Sequence, residues 1–203
     1  MKMNFKKAVA FVFAGVVALS LASCSSTKVT RVDSGEVIDL SGNWNDTDSQ
    51  QVSQEMITES LTYPWYAQFA AEHKSVKPRV IIGSVLNKTE EHISTETFIK
   101  DLERNLINNG KVTFVASKDQ REEIRAERAD QAVNSKNAKK QQNESAADFM
   151  LKGQINSIFD SNGKDKLKYY QVELEIIDME SNETVWVGQK KIKKVISKSS
   201  YKS

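Results

Sequence analysis

One sulfur and two imidazoles make up most of what this sequence offers to covalent chemistry. Cys24 is the only cysteine among 203 residues. It directly follows Leu21-Ala22-Ser23, at the end of a short apolar run. A lone thiol forms no intramolecular disulfide, and a free thiol is a liability in an oxidising compartment. Its sulfur is therefore a candidate for covalent capping rather than for catalysis. His73 and His92 each lie in a polar stretch, and neither has a second metal ligand at helical or strand spacing. No serine stands in a strand-to-helix elbow, and no glycine-rich phosphate loop is present. Carboxylates are plentiful but scattered. Asp39, Asn43, Asn45 and Asp46 come nearest to a cation loop, yet they lack the closing bidentate glutamate and central glycine of a calcium site. A helix start fits that stretch better, with Asp48 as N-cap and Gln51 three residues on. The sequence predicts no catalytic residue, no metal site and no cofactor, and the chain does not read as an enzyme.

What precedes the cysteine explains it. Met1 to Lys7 carries Lys2, Lys6 and Lys7 and no acid, and Ala8 to Leu21 is almost purely apolar. A basic start, an apolar stretch of under about 15 residues and small residues at its exit fit a secretory signal. A spanning helix needs about 20 apolar residues. The leucine–small–small–cysteine order resembles the lipobox of bacterial lipoproteins. That resemblance implies cleavage before Cys24 and lipidation of its sulfur. Each buried methylene contributes about 0.8 kcal/mol, so two or three acyl chains hold where one would not. Residues 1–23 are thus set apart as a signal peptide, 24–35 as a short polar tether and 36–203 as the globular domain. Removing the signal turns 29 basic and 27 acidic residues into 26 and 27, so the apparent basicity belongs to export. No nucleic-acid partner is indicated. Ser25 rather than aspartate after the cysteine favours the outer membrane, with the domain in the periplasm.

About 180 residues then remain, enough for one domain with its own core. Glu36 to Leu40 reads as a short strand or an extended arm. Helices are predicted from about Ser49 to Leu61, with Val52, Met56, Ile57 and Leu61 as the apolar stripe, and from Pro64 to about Glu72. Trp65, Tyr66 and Phe69 read as core. Arg79 to Val85 is a continuous apolar run that suits a central strand covered on both faces. Thr95 to Asn109 is a helix capped by Ser94 or Thr95 and ended by Asn109-Gly110. Val112 to Val115 follows as a strand, so strand, helix and strand suggest a right-handed parallel crossover. Lys118 to about Val133 is helical but poorly amphipathic, and Asn134 to Ser145 reads as a mobile loop. The rest alternates as strands, turning at Asn162-Gly163 and Ser181-Asn182. The expected fold is α/β: a single two-layer domain with a mixed sheet, a parallel crossover followed by an antiparallel meander, and helices packed on it.

Four stretches resemble the LpoB family of penicillin-binding-protein activators. They are Val32-Asp33 with Val37 to Asp48, which contains Gly42-Asn43-Trp44-Asn45; Asn87 to Thr95; Leu106 to Val115 with Arg121-Glu122-Glu123; and Ala147 to Ile155, with the Tyr170 and Trp186 strands beyond. The tryptophan turn and the alanine–aspartate start of a strand are the specific features. The resemblance implies a domain similar to the N-terminal domain of TolB. It also implies function by contact, as a lipid-anchored activator of a bifunctional penicillin-binding protein, and no reaction of its own. A monomer is expected.

Better-known members of that family carry a long proline-rich tether, whereas here no proline precedes Pro64. An extended chain covers at most about 3.5 Å per residue, so Cys24 to Trp44 reaches on the order of 70 Å. The short tether keeps a second reading open: an envelope adaptor of the same fold serving another envelope or secretion complex. For the partner surface the charged helix is the candidate, with Arg121, Arg125 and Arg128 sharing a face at spacings of four and three. A plain solvated helix is the alternative.

Overall fold

The computed structural model describes residues 29–33, 35–138, 143–162 and 165–197. The chain divides into two units, Met1–Glu36 and Val37–Ser203. In the described part of the first, Asp33 accepts hydrogen bonds from the amides of Gly35 and Glu36.

The second unit opens as an arm with no strand over residues 37–45, bent at 40–43 where Gly42 takes φ of 70°. Helix α1 spans Asp46–Ser60. Its cap is Asn45, three residues before the expected Asp48. Asn45 Oδ1 accepts from the Asp48 amide at 3.0 Å, and Asp48 Oδ2 accepts from the Asn45 amide at 3.0 Å. This reciprocal box satisfies two orphan donors at once, which moves Asp48 into the first turn, where its charge suits the helix dipole. Val52, Met56, Ile57 and Leu61 are buried as predicted. Helix α2 spans Pro64–Glu72, with the proline in its first turn. Trp65 is buried edge-on against Phe149 at 4.8 Å, and its Nε1 donates to the Ser60 carbonyl at 2.7 Å.

Strand β1 is Arg79–Asn87, helix α3 is Thr95–Asn109 and strand β2 is Thr113–Phe114, only two residues long. Ser94 caps α3, and Gly110 ends it with φ of 71°. Helix α4 spans Lys118–Asn134; strands β3, β4 and β5 span Phe149–Ser161, Asp165–Asp178 and Thr184–Ser197. The five strands form one sheet in the order β2-β1-β3-β4-β5. β1 is parallel to β2 and β3, while β3, β4 and β5 pair antiparallel in long register. The mixed α/β architecture expected from the sequence is thus present. The β3–β4 turn closes through the Asn162 amide to Asp165 O and the Asp165 amide to Asn162 Oδ1; Gly163 lies outside the described residues. The β4–β5 turn carries Asn182 at φ of 63°.

Helices α1, α2 and α3 cover one face only. Into it point Val80, Ile82, Phe149, Leu151, Ile155, Tyr170, Val172, Leu174, Ile176 and Trp186, which form the core with Phe98, Leu102 and Leu106. β1 therefore is not covered on both faces. Val80, Ile82 and Val85 are buried, while Ile81 is half-buried on the far face beside Met150. The register shift between Ile82 and Val85 restores the inward alternation past Gly83 and Ser84. The far face is polar instead: Lys152 pairs with Glu175 at 3.3 Å, and Glu173 accepts from Gln154, Gln171 and Gln189. Those bonds hold the Glu173 carboxyl below its usual range. A buried polar seam locks α1 to α3: Ser49 Oγ donates to Asp101 Oδ2 at 2.6 Å, and Asn105 Nδ2 to Ser53 Oγ at 2.9 Å.

Candidate functional site

Two clusters stand out. The first lies on α4. Ser117 and Gln120 build a reciprocal capping box at its start. No residue of α4 is buried. The helix is there because its local chemistry favours it, with alanines, arginines and glutamates throughout, and not because an apolar face docks on the core. At 3.6 residues per turn its charges segregate. Arg121, Arg125 and Arg128 share one face, while Asp119, Glu123, Glu127 and Asp130 lie on the other. The structure brings the three arginines together on one carboxylate. Arg125 binds Glu144 in a two-pronged grip, Nε to Oε1 at 2.9 Å and a terminal nitrogen to Oε2 at 2.6 Å. Arg121 approaches the same group at 3.8 Å and Arg128 at 3.6 Å. Arg121 also donates to the Ala116 carbonyl at 2.6 Å. The hydrogen bonds from Arg125 hold the Glu144 carboxyl below its usual range, and Glu144 in turn raises Arg125. The sequence grouped the arginines but left Glu144 in an aperiodic loop. No spacing rule links it to a helix 19 residues upstream of it, counted from Arg125.

The second cluster anchors the arm and joins three of the sequence stretches singled out above. Glu91, in the loop after β1, accepts from Tyr170 Oη at 2.8 Å through both oxygens, from Lys168 Nζ at 2.5 Å and from the Trp44 amide at 3.3 Å. The Trp44 ring meets Phe98 and Tyr170 edge-on at 5.9 and 5.7 Å. Asn43 Oδ1 also accepts from Lys168. Burial pushes the Glu91 carboxyl up, but the bonds from Lys168, Tyr170 and Trp44 outweigh it and hold it below the usual range. Burial and Glu91 together push the Tyr170 hydroxyl well above its ordinary value. Beside this, Lys194 reaches inward to Asp48 at 2.6 Å, Asp39 at 2.7 Å and the Asn43 carbonyl at 3.1 Å. Burial works against its charge, and the two carboxylates more than restore it. The signal for Lys168 and Lys194 was present. Each sits two residues from Tyr170 or Ile192, so strand alternation places it on the core side.

The remaining candidates are quickly placed. Cys24 lies outside the described residues. His73 stacks on Phe69 at 4.0 Å, with Nδ1 2.9 Å from the Phe69 carbonyl oxygen. Asp39 and Asp48, from the stretch that came nearest to a cation loop, are held by Asn45 and Lys194. Among the described residues no three or more histidine, cysteine or acidic side chains group as metal ligands. Nor is any helix among them long and apolar enough to cross a membrane.

Residues 48–192 match the family model described as the peptidoglycan-synthase activator LpoB, most of the chain and every element from α1 into β5. The chain belongs to the LpoB family. The description of that family is of a peptidoglycan-synthase activator. No curated protein matches the sequence. Among solved structures, the C-terminal domain of Escherichia coli LpoB is 14% identical, with 71% of this chain and 98% of that one covered at a TM-score of 0.45. E. coli LpoB solved by NMR is 15% identical, covering 88% and 85% at 0.42. The LpoB C-terminal domain of Salmonella enterica is 14% identical, covering 71% and 98% at 0.42.

Proposed function

We propose that this LpoB-family chain is a lipid-anchored periplasmic regulator that binds and activates a bifunctional penicillin-binding protein. In this reading residues 1–23 are removed, Cys24 carries the lipid in the outer membrane and residues 24–35 are the tether. The domain works by contact and turns over no substrate itself. The family match over residues 48–192 carries the reading. The docking surface we assign is the arginine face of α4. A helix with no buried residue is not needed for the core, and its guanidinium groups suit planar carboxylate partners. The direct experiment follows glycan polymerisation by the purified synthases of the same cell, with and without the protein. A higher rate is expected; an unchanged rate for every synthase overturns the reading.

The short tether supports one alternative, an adaptor for a different envelope complex. In-cell photo-crosslinking from the domain separates the two. Capture of a bifunctional synthase favours the activator, and capture of another complex with no synthase favours the adaptor.

A further inference from the structure

The arginine site on α4 is already occupied by the chain itself, and the geometry of that occupancy is incomplete. Three guanidinium groups share Glu144, while Glu122, also near Arg125, is balanced by Lys118, so the cluster keeps a surplus of positive charge. Only Arg125 is within hydrogen-bond distance of Glu144; Arg121 and Arg128 stand 3.8 and 3.6 Å away. The Arg128 side chain is exposed and comes no nearer to Glu144 than 3.6 Å. The Glu144 side chain is 29% exposed, and residues 143–147 belong to no helix or strand. Arg125 holds Glu144 by both prongs, but Arg121 and Arg128 stand outside hydrogen-bond distance of it, so a second carboxylate can compete for the same forks.

We propose that Glu144 is an internal stand-in for an aspartate or glutamate of the partner protein. It fills the Arg121–Arg125–Arg128 site in the free domain and gives it up on docking. The proposal rests on the arginine-face reading above and adds its ligand and its control. Glu144 lowers apparent affinity by the fraction of sites it fills, and only an acidic surface that offers better geometry displaces it. Between encounters it also keeps α4 from collecting arbitrary anions.

The test uses the full-length protein in detergent, with poly-L-glutamate and the purified synthase as two separate probes. Compared are the wild type, Glu144→Gln and the triple variant R121Q/R125Q/R128Q, with thermal melts checking that each is folded. For Glu144→Gln, binding to both probes is expected to tighten about two- to fivefold with a steeper salt dependence. The triple variant should weaken both. If Glu144→Gln leaves binding unchanged or weakens it while the triple variant weakens it, Glu144 positions the arginines and the stand-in is overturned. If the triple variant binds both probes as the wild type does, the arginine face falls, and the stand-in with it. If poly-L-glutamate responds as expected but the synthase binds no variant, the stand-in holds and the proposed partner is wrong.

Discussion

Removing one oxygen atom tests the arm anchor. Tyr170→Phe keeps the ring that packs on Trp44 and deletes the hydroxyl that donates to both oxygens of Glu91 at 2.8 Å. A hydrogen bond to a charged group contributes about 1.5–3 kcal/mol. Glu91 keeps Lys168 and the Trp44 amide, so its charge is not stranded and the lower part of that range applies, about 1.5–2 kcal/mol. For a domain of this size that lowers the melting temperature by about 3–8 °C. The loss must also depend on pH. Glu91 is more acidic in the folded protein than an unperturbed glutamate, whose pKa is about 4.3. Its stabilising effect is therefore complete above that unfolded value and disappears as pH falls through the lower folded one. Once Glu91 is protonated the bond becomes an ordinary neutral one, so the gap between wild type and variant should shrink towards about 1 kcal/mol in acid. Urea melts of both proteins at pH 7 and at stepped pH values below 5 measure this. A variant within about 0.5 kcal/mol of wild type at neutral pH, or a gap that does not narrow in acid, would refute the assigned role of Glu91.

Lys194→Met removes the cation that holds Asp39 and Asp48. A buried pair broken on one side costs about 3–5 kcal/mol, and partial exposure of Asp39 brings the expected loss to about 2–3 kcal/mol. Limited proteolysis should then cut within the arm at residues 37–45, and an uncut arm would count against the anchor. Gly153→Ala places a Cβ against the carbonyl oxygen of Glu173 in the next strand, which cannot withdraw without breaking the β3–β4 ladder. Loss of soluble folded protein is expected, and a normal melt would show that the strands can part. Gly110→Ala has open space around it but a φ of 71°, so only backbone strain of about 1 kcal/mol is expected, read as a small shift in urea midpoint.

The two-layer fold was legible because its signals are local. The α1 stripe, Pro64 at a helix start, Gly110 at a helix end and the alternation of β4 each follow from one period or one turn residue. Misplaced features were those settled by partners far along the chain. The α1 cap moved to Asn45 because Asp48 serves both the cap and Lys194, 146 residues later in the numbering. The apolar run of β1 looked two-sided because Ile81 is shielded by Met150, not by a second helix layer. The serines of α1 lie outside the apolar stripe read from the sequence, yet Ser49 and Ser53 are buried against Asp101 and Asn105, a complementarity visible only once both helices are in place. The arginine row was legible in the same local way, and its counter-charge was not.

An exposed helix outside the core has a consequence for how such a protein can change over time. Substitutions on a surface away from packed or bonded features usually alter stability by about 0.5 kcal/mol or less. Exposed α4 positions outside its capping box, ion pairs and arginine cluster, such as Glu123, Ala126 and Ala129, answer to that description, whereas Phe98, Leu102 or Leu151 cannot be altered without disturbing the core. The fold and the docking surface proposed on α4 are thus under separate physical constraints. On that proposal, a lineage can change these positions one by one to follow a drifting partner, or to acquire a new one, while the sheet and its three covering helices stay as they are.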